Sequence, residues 1–214
     1  MRDEAVHLRV EGVTLEGDLV LPANAKSIVV FAHGSGSSRF SPRNRFVAGV
    51  LNKAGIATLL MDLLTASEDE EDEVTAKYRF DISLLGRRVI GAIDRLISDE
   101  RTARLFYGVF GASTGAAAAL VAAAERPKAV KAVVSRGGRP DLADAALHLV
   151  EAPTLFIVGQ RDELVIDLNK KAFDRLKCKK ELSIIPRASH LFEEPGTLEE
   201  AARQAADWFK RYLI

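Results

Sequence analysis

Leu105-Phe106-Tyr107-Gly108-Val109-Phe110 runs directly into Gly111-Ala112-Ser113-Thr114-Gly115, and that pentapeptide opens an alanine-rich stretch reaching about Ala124. A short apolar run rich in Val and Phe suits a strand covered on both faces, and the alanines that follow favour a helix. Gly-x-Ser-x-Gly between a strand and a helix forces a hard turn, in which side chains two positions either side of the serine have no room. The turn exposes the Ser113 hydroxyl and sets it at a helix amino terminus. The plain alternative, a glycine-flanked serine that only caps the helix, is weakened by this context but not removed by it.

Working outward, short apolar runs alternate with helical periodicity on both sides. The runs are Ile28 to Ala32, Ile56 to Met61, Ala129 to Val134, Thr154 to Val158 and Leu182 to Ile185. Between and after them, Phe46, Val50, Leu51 and Ala54 form one helical stripe. Ile82, Leu85, Val89, Ile93, Leu96 and Ile97 form a second, and Leu198, Ala202, Ala205, Trp208, Phe209 and Leu213 a third. Such alternation implies right-handed crossovers and a mostly parallel sheet with helices on both faces. Before Pro22, His7 to Val10 and Val13 to Leu15 flank Glu11-Gly12, with Gly17 to Leu21 following. These read as antiparallel strands added at one edge.

The 214 residues set one domain, 1–214, as the expectation. A composition 48% hydrophobic and 28% charged excludes a mostly disordered or fibrous chain. Thirty basic and thirty acidic side chains give no net charge, which argues against a broad nucleic-acid footprint. Cys178 stands alone, no Cys/His group has zinc spacing, and no metal or other cofactor is called for. Met1 to Ala5 lacks the apolar stretch of a secretory signal, and the apolar run Gly115 to Ala124 is about half the ~20 residues that cross a bilayer. A cytoplasmic protein with no membrane contact is therefore expected. Six consecutive acids, Glu68 to Glu73, read as a solvated mobile loop, with a lid as the functional alternative.

Ligands of open parallel sheets bind beyond the carboxyl ends of the strands. Besides the Ser113 turn, three such positions carry chemistry. His33-Gly34-Ser35-Gly36-Ser37-Ser38 is a flexible loop able to turn a backbone N–H toward a substrate carbonyl. Ser35 is the first candidate donor and Gly36 the second, each beside the N–H of Thr114. His33 reads as structural. Gly34-Ser35-Gly36 with Asp62 also resembles a dinucleotide fingerprint, but Arg39 stands where its third glycine belongs. Gly159-Gln160-Arg161-Asp162 places an acid past one strand, and Ser189-His190-Leu191-Phe192 places an imidazole past the next.

Serine, acid and histidine thus follow in chain order, each beyond a successive strand. A serine hydroxyl needs a base to take its proton, histidine does so near neutral pH, and a carboxylate on the far ring nitrogen fixes the tautomer. His7 in a strand and His148 on a probable, partly buried helix compete poorly as bases. Asp141 after Pro140 reads as a helix start. Tyr78, Phe80, Arg136 and Leu191 are candidate walls of a substrate pocket. Arg136 could pair with a substrate carboxylate, or could instead be held by backbone carbonyls or Asp141.

From about Val13 to Leu213 the chain resembles the α/β-hydrolases, specifically small lid-less members similar to dienelactone hydrolase. The resemblance rests on the five loops around His33, Ser113, Asp162 and His190 and at Ser135-Arg136-Gly137-Gly138-Arg139-Pro140. It implies an α/β-hydrolase fold with a sheet of seven or eight strands and no cap domain. It assigns Ser113 as nucleophile, Asp162 as acid and His190 as base. Dienelactone hydrolases proper use a cysteine at the elbow, so their substrate is not carried over with Ser113. The expected activity is hydrolysis of small carboxylic esters, thioesters or lactones, with an acyltransferase or a non-catalytic binding protein as alternatives. Oligomeric state stays open, the helix face near Trp208 and Tyr212 suiting either a homodimer contact or core packing.

Overall fold

A computed structural model describes residues 2–213 and contains one eight-stranded sheet. In chain order the strands are β1 (Arg2–Val10), β2 (Val13–Leu21), β3 (Ser27–Ala32), β4 (Ala57–Met61), β5 (Phe106–Ala112), β6 (Val130–Arg136), β7 (Thr154–Gly159) and β8 (Lys180–Ile185). In space they run β1-β2-β4-β3-β5-β6-β7-β8. The six from β4 to β8 are parallel, and β1 and β2 extend the sheet antiparallel at the β4 edge. Glu11 (φ 47°) and Gly12 (φ 85°) turn the β1–β2 hairpin, both positive as a tight two-residue turn between twisted strands requires.

The helices are α1 (Pro42–Lys53), α2 (Ala66–Thr75), α3 (Ile82–Ile97), α4 (Gly115–Glu125), α5 (Glu163–Arg175) and α6 (Thr197–Tyr212), with a 3₁₀ segment over Pro140–Leu149. One layer pairs α1 with α6, burying Val47, Leu51, Ala202, Ala205 and Phe209 against Val29, Phe31 and Phe110. The other carries α3, α4 and the 3₁₀ segment over Val30, Val109 and Val133. β3, β5 and β7 have no exposed residue except Phe106, the consequence of helices on both faces. Trp208 is core, its indole N–H donating to the Pro153 carbonyl at 3.2 Å. No helix among the described residues is long and apolar enough to cross a membrane.

The acidic stretch Glu68 to Glu73 is not a loop but the body of α2. Thr65 accepts from the Glu68 N–H at 3.2 Å, while the Glu68 carboxylate accepts from the Thr65 N–H at 2.8 Å, a reciprocal cap over two orphan donors. Countercharges arrive from downstream: Arg88 binds Glu68 at 2.8 Å and Lys77 binds Glu71 at 2.9 Å. Asp72 is buried, accepting from the backbone N–H of Tyr78 (2.6 Å) and Arg79 (2.9 Å) and from Arg79 Nε (2.7 Å). Burial pushes its carboxyl up, yet these bonds outweigh that and hold it below the ordinary value.

Two smaller corrections concern helix faces. In α1 the buried positions are Asn44, Val47, Ala48 and Leu51, and Phe46 is exposed, so the inward stripe is rotated from the expected one and includes a polar residue. His148 is exposed on the 3₁₀ segment rather than partly buried on an α-helix.

Candidate active site

Gly111 and Gly115 make the β5–α4 turn possible. A Cβ at Gly111 would lie 2.3 Å from Ala116 Cα, and one at Gly115 would lie 2.2 Å from the Ala32 carbonyl oxygen. Ser113 between them holds φ at 51°, the left-handed region that a non-glycine residue occupies only when its surroundings impose it. Those surroundings are hydrogen bonds. Ser113 N–H donates to the Arg136 carbonyl at 3.3 Å, and its own carbonyl accepts from Arg139 N–H at 2.9 Å and Ala116 N–H at 3.1 Å. The loop after β6 is therefore fastened across the elbow, and Asn169 of α5 holds that loop in turn through the Gly138 carbonyl at 2.9 Å.

Asp162 and His190 come together from the loops after β7 and β8. His190 Nδ1 lies 2.6 Å from Asp162 Oδ2. A carboxylate only accepts, so Nδ1 carries the proton and Nε2 is left as the basic nitrogen. Asp162 stands at the N-cap of α5 without capping it, its side chain being committed to the imidazole. The two loops are laced by Arg161 N–H to the Ala188 carbonyl at 2.9 Å and Arg187 N–H to Gln160 at 2.9 Å. Ser189 N–H donates to Glu194 at 2.9 Å, which fixes the residue before the histidine.

Ser113, His190, Leu191 and Arg136 line a common cavity of about 280 Å³, joined from the β3–α1 side by Ser35 and Asn44. No hydrogen bond joins the Ser113 hydroxyl to His190 among the described residues, a looseness common before substrate binds. Tyr78 and Phe80 are not part of this wall. The Tyr78 hydroxyl donates to Glu71 at 2.6 Å, and Phe80 is exposed, because the buried Asp72 ties the chain after α2 back onto that helix.

The loop after β3 also differs from expectation. Ser35 N–H is not free: it donates to Thr114 Oγ1 at 3.0 Å. The two hydroxyls lie 2.9 Å apart, and Ser35 Oγ donates onward to the Arg79 carbonyl at 3.3 Å. The Thr114 hydroxyl thus folds back over the elbow and occupies the donor. Gly36, with φ 64°, does not line the cavity. The fingerprint acid Asp62 is bound by Arg39, whose N–H lies 2.7 Å from it and whose guanidinium pairs with it.

His33 is structural in its geometry, donating from Nδ1 to the Gly34 carbonyl at 2.9 Å and accepting Leu63 N–H on Nε2 at 3.0 Å. Burial is the main cause that pushes its pKa below the ordinary 6.5. The unfolded chain takes up a proton below about pH 6.5 that the native state refuses, so stability should fall as pH drops through that value and level off only beneath the depressed native one. Urea midpoints measured from pH 7.5 to 5 should show this loss in the native sequence and a shallower dependence in His33→Gln. Equal slopes would remove the assignment.

The pattern of the dienelactone hydrolase family matches residues 15–213. The chain belongs to that family. A crystal structure of a family member, the dienelactone hydrolase from Anabaena variabilis, is 59% identical with a TM-score of 0.98, over 100% of this chain and 99% of that one. The alpha/beta hydrolase GrgF of a Penicillium species shares only 15% identity but superposes with a TM-score of 0.82, over 100% and 99%, a likeness of fold alone. Among curated proteins, the family chain is 54% identical over 213 residues to a Mycobacterium tuberculosis protein, in two strains, that carries a provisional phosphoribosyl transferase name. All of this chain is matched but 47% of that protein, so the chain spans about half the length of these relatives. The α/β-hydrolase fold, expected with seven or eight strands and found with eight, and the dienelactone-hydrolase-like character both hold.

What the sequence did not single out is that Arg43 and Asn44 line the cavity from the first turn of α1, facing the expected Arg136 at the end of β6. The sole advance signal was Ser41-Pro42, a helix start that brings the next residues to the sheet's carboxyl edge.

Proposed function

We propose that this protein is a serine hydrolase cleaving small carboxylic esters, thioesters or lactones through an acyl-enzyme on Ser113. The reading is carried by the 2.6 Å His190–Asp162 contact beside a serine held at positive φ on the same cavity. Ser113 Oγ attacks the carbonyl carbon as His190 Nε2 takes its proton. Asp162 steadies the imidazolium through Nδ1–H. The oxyanion takes Thr114 N–H as one donor. Ser35 N–H becomes the second by exchanging the Thr114 hydroxyl for the developing negative charge, the stronger acceptor. Collapse of the tetrahedral intermediate breaks the carbonyl–oxygen or carbonyl–sulfur bond, and the leaving group takes the proton from His190. Water, deprotonated by the same nitrogen, then frees the acid and restores the Ser113 hydroxyl.

A nucleophilic serine should be phosphonylated by a fluorophosphonate probe. One adduct per chain is expected, mapping by mass spectrometry to the peptide containing Ser113 and absent from Ser113→Ala. Unlabelled protein, or equal labelling of both forms, would reject the reading.

A further inference from the structure

Arg136 is the anomaly of the site. Only 7% exposed, it sets its guanidinium 5.6 Å from the Phe192 ring centroid and has one side-chain hydrogen-bond partner among the described residues, Asn44 Oδ1, at 3.3 Å from Nη2. Its Nε and Nη1 are buried with no hydrogen-bond partner among the described residues. The acid the sequence offered, Asp141, is taken by Arg139 at 2.8 Å. A buried guanidinium with idle donors is costly unless something polar completes it. Burial, and then the nearby Arg43, push its pKa down to about 10, which still leaves it cationic at neutral pH.

Arg136 shares the cavity with a further guanidinium and several neutral donors. Arg43 is the second cation, and its nearest acid is the exposed Glu193, 4.0 Å away at the rim. No Asp or Glu lines the cavity. Ser41, the N-cap of α1, uses its oxygen to accept from Asn44 N–H, which leaves its O–H proton to donate. The amino end of the 12-residue helix α1 adds roughly half a positive charge. Two guanidiniums and a helix end sum to about +2.5, or about +1.5 once Glu193 is set against Arg43, which matches the −1.5 to −2 that a phosphate monoester carries at pH 7 and exceeds a carboxylate's single charge. The donors agree. Arg43 and Ser41 add donors beyond those of Arg136, and the three terminal oxygens of a phosphate accept more of them than the two of a carboxylate.

We infer that Arg136, Arg43 and the amino end of α1 form a phosphate subsite, and that the substrates are esters whose alcohol or acyl part bears a phosphate monoester. The inference rests on the hydrolase reading for its chemistry but not for its binding. The phosphate is a handle: its P–O bonds stay intact while the carboxylic ester is cleaved at Ser113.

Three acetate esters test it: glycerol monoacetate (neutral), acetoxyacetate (carboxylate) and acetylglycerol phosphate. The phosphate ester should exceed both others in kcat/KM by about tenfold or more, the effect of one charge-assisted hydrogen bond. Arg136→Met, which keeps most of the buried volume, should collapse that ratio. Arg43→Gln, at a more exposed position, should reduce it and serves if Arg136→Met does not fold. Independently, glycerol 3-phosphate should bind Ser113→Ala in a calorimeter and bind at least about tenfold more weakly once Arg43 is also replaced. Preference for the neutral or carboxylate ester, a phosphate preference untouched by either arginine change, or no binding of glycerol 3-phosphate would overturn the subsite. Binding of the phosphate by a chain that hydrolyses none of the three esters would keep the subsite and reject the hydrolase.

Discussion

Ser113→Ala should lower kcat on an ester substrate by about 10⁶-fold, leaving a trace attributable to binding and the oxyanion donors. The size follows from what the side chain does. On the proposed mechanism the new bond to the carbonyl carbon is made by Ser113 Oγ, and among the described residues no other hydroxyl is presented at positive φ on that cavity. The substitution removes one partly buried oxygen and no recorded side-chain hydrogen bond, so the melting temperature should stay within a few degrees of the native one. The pairing of lost turnover with kept stability, measured by steady-state kinetics and thermal denaturation on one preparation, separates a nucleophile from a capping serine. A cap lost from α4 would cost about 1 kcal/mol and leave turnover largely intact.

The second large effect is expected at Asp162. Asp162→Asn should reduce kcat by about 10⁴-fold with a far smaller change in KM. The isosteric amide can still meet Nδ1, but its NH₂ favours the tautomer with the proton on Nε2, the nitrogen that must be basic toward Ser113. Nor can a neutral amide stabilise the imidazolium. Asp162 makes no side-chain cap on α5, so the exchange takes nothing from that helix, and a melting temperature close to native is expected here too. A kcat within tenfold of native would mean that the 2.6 Å contact positions a loop and nothing more.

The β5–α4 turn is legible because it depends on local signals, an apolar run and then a turn whose sterics demand glycine, and Asp162 and His190 stand out only as polar residues just beyond later apolar runs. Strands buried on both faces advertise themselves as unbroken apolar stretches, and the sheet followed from them. Elements whose stability comes from afar were not legible. The helix over Ala66–Thr75 reads as six mutually repelling acids until Arg79 and Arg88 fold onto it, although Thr65 and Glu68 already spell its cap. The phase of α1 was missed because Asn44 faces inward to meet Arg136, a polar contact no hydrophobic stripe reveals. Tyr78 and Phe80 lie near the sheet's edge in the chain and the Arg79 carbonyl between them accepts from Ser35 Oγ, but Asp72 and Glu71 bind this segment so that neither aromatic side chain lines the cavity. Ser35 lies beside the elbow, yet the partner of its N–H depends on which way the Thr114 hydroxyl turns, and backbone pattern does not encode that.

A slowly released acyl group offers the most direct trial of the central chemistry. When the protein is mixed with a chromogenic ester and quenched in acid within the first turnover, its intact mass should rise by one acyl unit. Digestion should find that unit on the peptide containing Ser113, and it should disappear as the free acid forms. An acyl group mapped to another residue, or hydrolysis that proceeds in Ser113→Ala at the native rate, would contradict the account.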